Sequence, residues 1–213
     1  MAMLGAIVLA GGPSSRFGRK NKALVELGGK PLVRYVVDQC RLVAQEIIVT
    51  IGKDEHPESY VKVLPSKVRL VKDTGEPKSP LNGIAAGIWQ LDTAYCLIVP
   101  CDTPFVRSNI LDLLSEKKSG FDLVVPLWPN GYIEPLHAVC RVESTRRVLP
   151  QVLKNPGSRV ADFIFALDSV RYVSTEEMRK LDPDLRCFLN INSPQDLELA
   201  ENTLEHPNVS ITI

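Results

Sequence analysis

Short apolar runs alternate along the chain with longer segments in which apolar residues recur at helical spacing. The runs predict strands over Gly5–Ala10, Glu46–Ile51, Val68–Lys72, Tyr95–Val99 and Phe121–Val125, with a late strand over Cys187–Ile191. The helical spacing predicts helices over Pro31–Val43, Pro80–Leu91, Ser108–Lys117 and Pro194–Leu204. This alternation predicts an α/β fold with a doubly wound, mostly parallel sheet and helices on both faces.

Length and charge narrow the class of protein. The chain has 213 residues, of which 45% are hydrophobic, enough for one sizeable core, so we expect a single domain over residues 1–213. Lys plus Arg and Asp plus Glu number 25 each, so no overall field favours nucleic acid or a membrane surface as a partner.

The cysteines and the amino terminus bear on the compartment. Five cysteines with no C-x-x-C pair argue against a disulfide framework or a structural zinc site. The apolar start lacks the positive region of a signal peptide, and no apolar stretch approaches the roughly 18 residues of a membrane span. We therefore expect a cytoplasmic protein.

A basic, glycine-containing loop follows the first predicted strand. The stretch LAGGPSSRFGRKNKAL, residues 9–24, lacks both G-x-G-x-x-G and the GK[ST] ending of a P-loop. Gly11 and Gly12 nevertheless permit close approach of the backbone to phosphate oxygens, and Arg16 and Lys22 supply positive charge. From these residues alone, a phosphate-binding loop and an ordinary solvated turn both remain open.

Asp102 favours the phosphate-binding interpretation. It follows an apolar strand, at the sheet edge where open α/β sheets bind ligands, and Pro104 turns the chain just beyond it. A carboxylate opposite a triphosphate is suited to Mg²⁺, which takes one or two carboxylates plus phosphate oxygens. The alternative is a carboxylate that only caps the next turn.

Four stretches together resemble the molybdenum cofactor guanylyltransferases: the loop at 9–24, Asp73-Thr74-Gly75 followed by SPLNGI, VPCDTPF, and NINSPQDL. The resemblance spans nearly the whole chain. LAGG with a downstream lysine is common to many nucleotidyltransferases, whereas PCDTPF and NINSP are typical of the molybdopterin branch. The resemblance implies a Rossmann-like nucleotidyltransferase fold and transfer of GMP from Mg·GTP to the terminal phosphate of molybdopterin, with release of pyrophosphate.

The resemblance also implies roles for individual residues. Lys22 and Arg16 would neutralise phosphates as catalytic residues, and Asp102 would ligate Mg²⁺. The nucleotide would be bound by Leu9, Ala10, Gly11, Gly12, Lys22, Thr50, Asp73 and Asp102. Molybdopterin, the molybdenum cofactor precursor, would be bound by Arg159, Asn190 and Asn192. Transient contact with cofactor insertion proteins or target molybdoenzymes is a further implication.

Among the positions that depart from the family pattern, two bear on base recognition. Ser79 stands where glycine is frequent, and Thr50 stands where asparagine is frequent. Two alternative nucleotidyltransferase activities therefore remain open. The enzyme would use CTP with molybdopterin, or a nucleotide with a sugar phosphate or cobinamide phosphate. Lys22 and Asp102 together disfavour a non-catalytic nucleotide-binding protein, and the missing G-x-G-x-x-G disfavours a nicotinamide-dependent dehydrogenase.

Overall fold

Parallel pairing dominates the central sheet of the computed structural model, which describes residues 3–11, 17, 21–73 and 75–206. The strands in these ranges are β1 (Leu4–Leu9), β2 (Glu26–Leu27), β3 (Lys30–Pro31), β4 (Glu46–Gly52), β5 (Arg69–Asp73), β6 (Tyr95–Pro100), β7 (Leu123–Leu127), β8 (Ala138–Arg141) and β9 (Val170–Ser174). Seven of them form one sheet in the order β5-β4-β1-β6-β8-β7-β9, and β2 and β3 form a separate pair. Within the large sheet, only β8 runs antiparallel to its neighbours.

Helices connect the strands. In the described residues they are α1 (Leu32–Val43), α2 (Pro57–Val61), α3 (Pro80–Ile88), α4 (Ser108–Glu116), α5 (Val142–Val152), α6 (Val160–Phe165), α7 (Thr175–Met178) and α8 (Pro194–Glu205). None of these helices is long and apolar enough to cross a bilayer. All five cysteines are buried and free.

The alternating side chains of β1 show how both faces of the sheet are covered. Ala6 and Val8 belong to the apolar core under α1 and α4, whereas Ile7 and Leu9 belong to the core under α3, α5 and α6. Each set is buried, as expected for a central strand covered by helices on both sides. The carboxyl end of β1 therefore emerges at one edge of the sheet, between the two helical layers.

The predicted α/β class is confirmed, with differences in individual elements. The predicted strands near Val68 and Phe121 begin one or two residues later, at Arg69 and Leu123. The sequence patterns did not predict β8, β9, α5, α6 or α7. These elements are short or strongly polar on one side, so their apolar runs were too brief to distinguish from loops.

The predicted strand over Cys187–Ile191 is wrong. A 3-10 helix occupies Arg186–Phe188, preceded by Leu185 in the left-handed region with φ of 52°. The backbone N–H of Cys187 donates to the Asp182 carboxylate at 2.8 Å, and the N–H of Phe188 donates to the carbonyl of Leu185 at 2.9 Å. These local hydrogen bonds replace the ladder that a strand would need.

Candidate active site

A cleft of about 270 Å³ lies at the carboxyl ends of β1, β4, β5 and β6, beside the start of α3. Several residues that the sequence singled out line it: Leu9, Ala10, Gly11, Lys22, Thr50, Asp73, Asp102 and Asn192. The predicted residues Gly12 and Arg16 lie outside the described residues. The position of the cleft agrees with the rule that open α/β sheets bind ligands beyond the carboxyl ends of their strands.

Lys22 is the cation of the cleft whose surroundings are described, and it begins the 3-10 helix Lys22–Leu24. Asn21 caps this helix by accepting a hydrogen bond from the backbone N–H of Ala23 at 3.0 Å. The amide of Asn21 also donates to the hydroxyl of Tyr60 at 2.8 Å, and that hydroxyl donates to Glu55 at 2.6 Å. Tyr60 is fully buried, so this network fixes the backbone from which Lys22 extends.

The Lys22 side chain connects two walls of the cleft. Its Nζ donates to Oδ2 of Asp102 at 2.5 Å and to Oδ1 of Asn192 at 2.6 Å. Both side chains of the ion pair are less than a fifth exposed, at 18% for Lys22 and 19% for Asp102. Charge-assisted hydrogen bonds of this kind are stronger than neutral ones and hold the three side chains together.

Asp102 stands on a turn that the end of β6 and the NINSP segment position jointly. The hydroxyl of Thr103 donates to the carbonyl of Pro100 at 3.2 Å, which closes the turn around Asp102. The carbonyl of Asp102 accepts from the backbone N–H of Ile191 at 2.8 Å. The carboxylate is thus held at the mouth of the cleft by its own backbone and by a distant segment.

The second oxygen of the Asp102 carboxylate is unusual. Oδ1 is buried and has no hydrogen-bond partner among the residues that the structure describes. Buried carboxylate oxygens normally have partners, so one without a partner in the described residues, on a residue that lines a cleft, fits a cation that arrives with a ligand. The described residues include no cluster of three or more His, Cys, Asp or Glu side chains that would hold a metal alone. This donor set suits a cation that is shared with phosphate oxygens.

One wall of the cleft is shaped by β4, β5 and α3. Oγ1 of Thr50 is buried without a hydrogen-bond partner in the described residues, next to Gly83 of α3. Asp73 ends β5 and accepts from the N–H of Gly75 at 2.8 Å, while burial raises its pKa. Ser79, one of the departures from the family pattern, caps α3 by accepting from the N–H of Leu81. The hydroxyl of Thr50 and the carboxylate of Asp73 therefore supply polar groups on this wall.

The three residues expected to bind molybdopterin are not equivalent in position. Asn192 lines the cleft and contacts Lys22. Asn190 is exposed, and its amide donates to the carbonyl of Phe188 at 2.9 Å. Arg159 is exposed at the start of α6 and is not among the residues lining the cleft. All three residues are exposed, but only Asn192 lines the cleft and contacts Lys22, whereas Asn190 and Arg159 lie outside the cleft lining.

The sequence analysis did not identify the side chains that hold the segments carrying Lys22 and Asp102. Tyr60 and Glu55 hold the segment that carries Lys22, and His137 contacts Thr103 beside Asp102. Their sequence separations from the residues they support are large, and no local motif marks them. The sequence carries one indication of such residues: a polar side chain within an otherwise apolar stretch is often buried and hydrogen-bonded to a specific partner.

A lysine and a carboxylate are paired beyond the ends of parallel strands, as expected for an α/β nucleotidyltransferase. The chain belongs to the family with the MobA-like NTP transferase domain, whose model matches residues 6–170. This confirms the resemblance that the sequence motifs indicated.

Individual relatives agree with the family assignment. A probable molybdenum cofactor guanylyltransferase of Methanosarcina acetivorans is 37% identical over 91% of this chain and 88% of that protein. The molybdenum cofactor guanylyltransferase of Desulfosudis oleivorans is 32% identical over 96% of this chain and 97% of that protein. The crystal structure of molybdopterin-guanine dinucleotide biosynthesis protein A from Archaeoglobus fulgidus is 25% identical, covers 94% of this chain and 98% of that chain, and superimposes with a TM-score of 0.76.

Proposed function

We propose that this nucleotidyltransferase transfers GMP from Mg·GTP to the terminal phosphate of molybdopterin, normally carrying molybdenum, and releases pyrophosphate. The observation that carries the proposal is the pair formed by Lys22 and Asp102, in which Oδ1 of Asp102 is buried and has no hydrogen-bond partner among the described residues. The names of the relatives supply the base and the acceptor.

The nucleotide would lie along the ends of β1, β4 and β5. The backbone of Leu9, Ala10 and Gly11 would contact it. Gly11 lets the chain after β1 pack closely against the end of β4, because a Cβ there would lie 2.8 Å from the backbone N of Gly52. Thr50 and Asp73 would contact the nucleoside, where a carboxylate is suited to accept from the N–H groups of guanine. Gly12 and Arg16, outside the described residues, complete the proposed phosphate loop.

Asp102 would hold the divalent cation through Oδ1, because Oδ2 already accepts from Lys22. When bound, Mg²⁺ polarises the α-phosphoryl group and offsets charge on the phosphate oxygens. Lys22 places its ammonium beside the same carboxylate, where it neutralises negative charge that would repel a second phosphate. The chain therefore contributes positioning and charge rather than a covalent intermediate.

The acceptor phosphate would approach from the side of Asn192. Its oxygen attacks the α-phosphorus of GTP. The bond between the α-phosphorus and the oxygen that bridges to the β-phosphorus breaks, and pyrophosphate leaves with the electron pair. Because Asn192 and Asp102 share Lys22, the acceptor and the nucleotide would meet at that ammonium group. Asn190 and Arg159 would contact the outer part of molybdopterin. Alignment of two bound reactants is the main source of rate in such a reaction.

Pyrophosphate release tests this function directly. The protein is incubated anaerobically with Mg²⁺ and molybdopterin, and GTP, CTP, ATP and UTP are supplied separately. We expect release with GTP, dependence on molybdopterin, and loss of release in Lys22→Ala. Lys62→Ala, which removes an exposed lysine of the turn after α2, is the matched control and should keep wild-type rates.

The other outcomes separate the rival functions. Release with CTP alone would retain the mechanism and replace guanylyl by cytidylyl transfer. Release with sugar phosphates or cobinamide phosphate, but not with molybdopterin, would overturn the acceptor. Absence of release with any nucleotide and acceptor would overturn catalysis and favour a nucleotide-binding protein.

A further inference from the structure

His137 lies between two segments beside the cleft: the turn that carries Asp102 and the stretch from Phe188 to Asn192. It stands in the turn before β8 and is 3% exposed. On one side it contacts Thr103, whose Oγ1 is 3.2 Å from Nε2 of the imidazole. On another side is the ring of Phe188, 5.1 Å away between centroids and at an angle of 87°. His137 itself does not line the cleft, whereas its neighbour Leu136 does.

The contact with Thr103 has a defined direction. The Thr103 hydroxyl has one proton and donates it to the carbonyl of Pro100, so it accepts from the N–H at Nε2 of His137. Burial lowers the pKa of His137 to about 4, although the nearby Asp102 carboxylate acts in the opposite direction. The imidazole is therefore neutral near pH 7 and serves as a single fixed donor to the turn that carries Asp102.

The contact with Phe188 reaches the other segment. Phe188 precedes the stretch that ends in Asn192, and its carbonyl accepts from the side chain of Asn190 at 2.9 Å. Ile191 in the same stretch donates its N–H to the carbonyl of Asp102 at 2.8 Å. Edge-to-face ring contacts have a preferred geometry, so this buried contact restrains how His137 and Phe188 lie relative to each other.

We propose that His137 is a positioning residue, which sets the spacing between Asp102 and Asn192 through its hydrogen bond to Thr103 and its ring contact with Phe188. This inference rests on the proposed function in one respect: it takes Asp102 as the group that holds the divalent cation. His137 does not act as a base, because it is buried behind the turn and touches neither wall of the cleft from the inside. A positioning error of about 1 Å at such a site costs up to roughly a hundredfold in rate.

Two matched pairs of variants separate positioning from packing. Thr103→Val keeps the shape of the buried side chain and removes the hydroxyl, whereas Thr103→Ser keeps the hydroxyl. His137→Met fills the space without a donor, whereas His137→Gln retains an N–H donor near the position of Nε2. The double variant His137→Met with Thr103→Val removes both ends of one hydrogen bond.

Three measurements are made on each folded variant: kcat with GTP and molybdopterin, the concentration of Mg²⁺ that gives half-maximal rate, and Mn²⁺ binding followed by water-proton relaxation. For the variants that lack a donor or acceptor, we expect kcat to fall about tenfold and both metal affinities to weaken severalfold. His137→Gln and Thr103→Ser should recover most of each loss. The double variant should lose less than the sum of the two single losses, because both changes remove the hydrogen bond between His137 and Thr103.

Opposite results would overturn the inference. A role in packing alone would lower the melting temperature and leave kcat and metal affinity at wild-type values in the folded protein. Additive losses in the double variant, or losses that Thr103→Ser fails to recover, would also contradict it. If His137→Met does not fold, Thr103→Val and Thr103→Ser decide the question with a smaller change. If the wild type binds Mn²⁺ without turnover, the proposed function fails. The Mn²⁺ affinities of the variants, compared with that of the wild type, still test the positioning role of His137.

Discussion

The side of the cleft that we propose for the nucleotide and the side that we propose for the acceptor are built in different ways. On the nucleotide side, Leu9, Thr50 and Asp102 stand at or just beyond the ends of buried parallel strands, so the sheet itself dictates where they lie. On the acceptor side, Asn190 and Asn192 stand in an irregular segment that hydrogen bonds tie to the Asp102 turn and to α8. The nucleotide wall is thus a product of the core, and the acceptor wall depends on a few specific contacts.

This difference predicts that single substitutions affect the two sides differently. Changes on the nucleotide wall should act on chemistry or base fit without moving the sheet. Changes on the acceptor wall should act through the contacts that place the segment. Lys22 is the link, since its ammonium contacts both Asp102 and Asn192.

The largest effect should come from Asp102→Asn. The amide keeps the size of the side chain but lacks the charge that holds a cation, so we expect kcat to fall by roughly 10³-fold. GTP binding, measured by calorimetry in the absence of turnover, should change by only a few fold because the strand ends still contact the nucleotide. Asp112→Asn, the same change at an exposed position of α4, is the control. Equal losses of binding and rate would contradict this division of roles.

Acid titration should show how strongly His137 ties the two walls together. The pKa of His137 in the folded protein, about 4, lies below the ordinary value of 6.5, so the unfolded chain takes up a proton first as pH falls. The stability present above pH 6.5 is therefore lost between about 6.5 and 4, by up to about 3 kcal/mol in free energy of unfolding. Urea unfolding across this range should give a shallower pH dependence for His137→Gln. Identical slopes in the two proteins would contradict a neutral, buried imidazole.

The sequence predicted the nucleotide wall well because its physical causes are local. β1, β4 and β6 are apolar runs, and the residues that follow such runs lie at the sheet edge in any doubly wound fold. Lys22 and Asp102 could therefore be placed near each other from pattern alone. Only the structure shows their contact at 2.5 Å, and only the structure shows that Oδ1 of Asp102 has no partner within the described part of the chain.

The acceptor wall and the supports were less predictable because their causes are long-range. The strand expected over Cys187–Ile191 is absent because the Asp182 carboxylate and a left-handed Leu185 turn the chain locally. The partner of His137 is 34 positions away along the chain, and that of Tyr60 at Asn21 is 39 away. Side-chain pairs at such separations leave no periodic pattern in a single sequence.

Asn192→Ala tests whether the acceptor wall depends on its few contacts. The change removes the carbonyl that accepts from Lys22, and hydrogen bonds to charged groups contribute about 1.5–3 kcal/mol. We expect kcat/KM for molybdopterin to fall at least about tenfold, with KM for GTP nearly unchanged. Asn202→Ala, at an exposed position of α8, is the matched control. A rise in KM for GTP as large as the loss toward molybdopterin would show that the two sides are not separable.

The smallest effect should come from Gly83→Ala, which adds a single methyl group to the nucleotide wall. The new Cβ would lie 3.1 Å from Leu9 Cδ2 and 3.1 Å from Oγ1 of Thr50, so it narrows the cleft at the nucleoside end. We expect KM for GTP to rise about fivefold, equivalent to about 1 kcal/mol, with little change in kcat. Gly87→Ala, one turn further along α3, is a matched comparison, because its Cβ would meet Ile7 Cδ1 at 2.9 Å inside the core. It should lower the free energy of unfolding by about 1–3 kcal/mol and leave KM for GTP unchanged. If both variants lose only stability, the wall beside Gly83 does not contact the nucleoside, and the base must lie elsewhere along the strand ends.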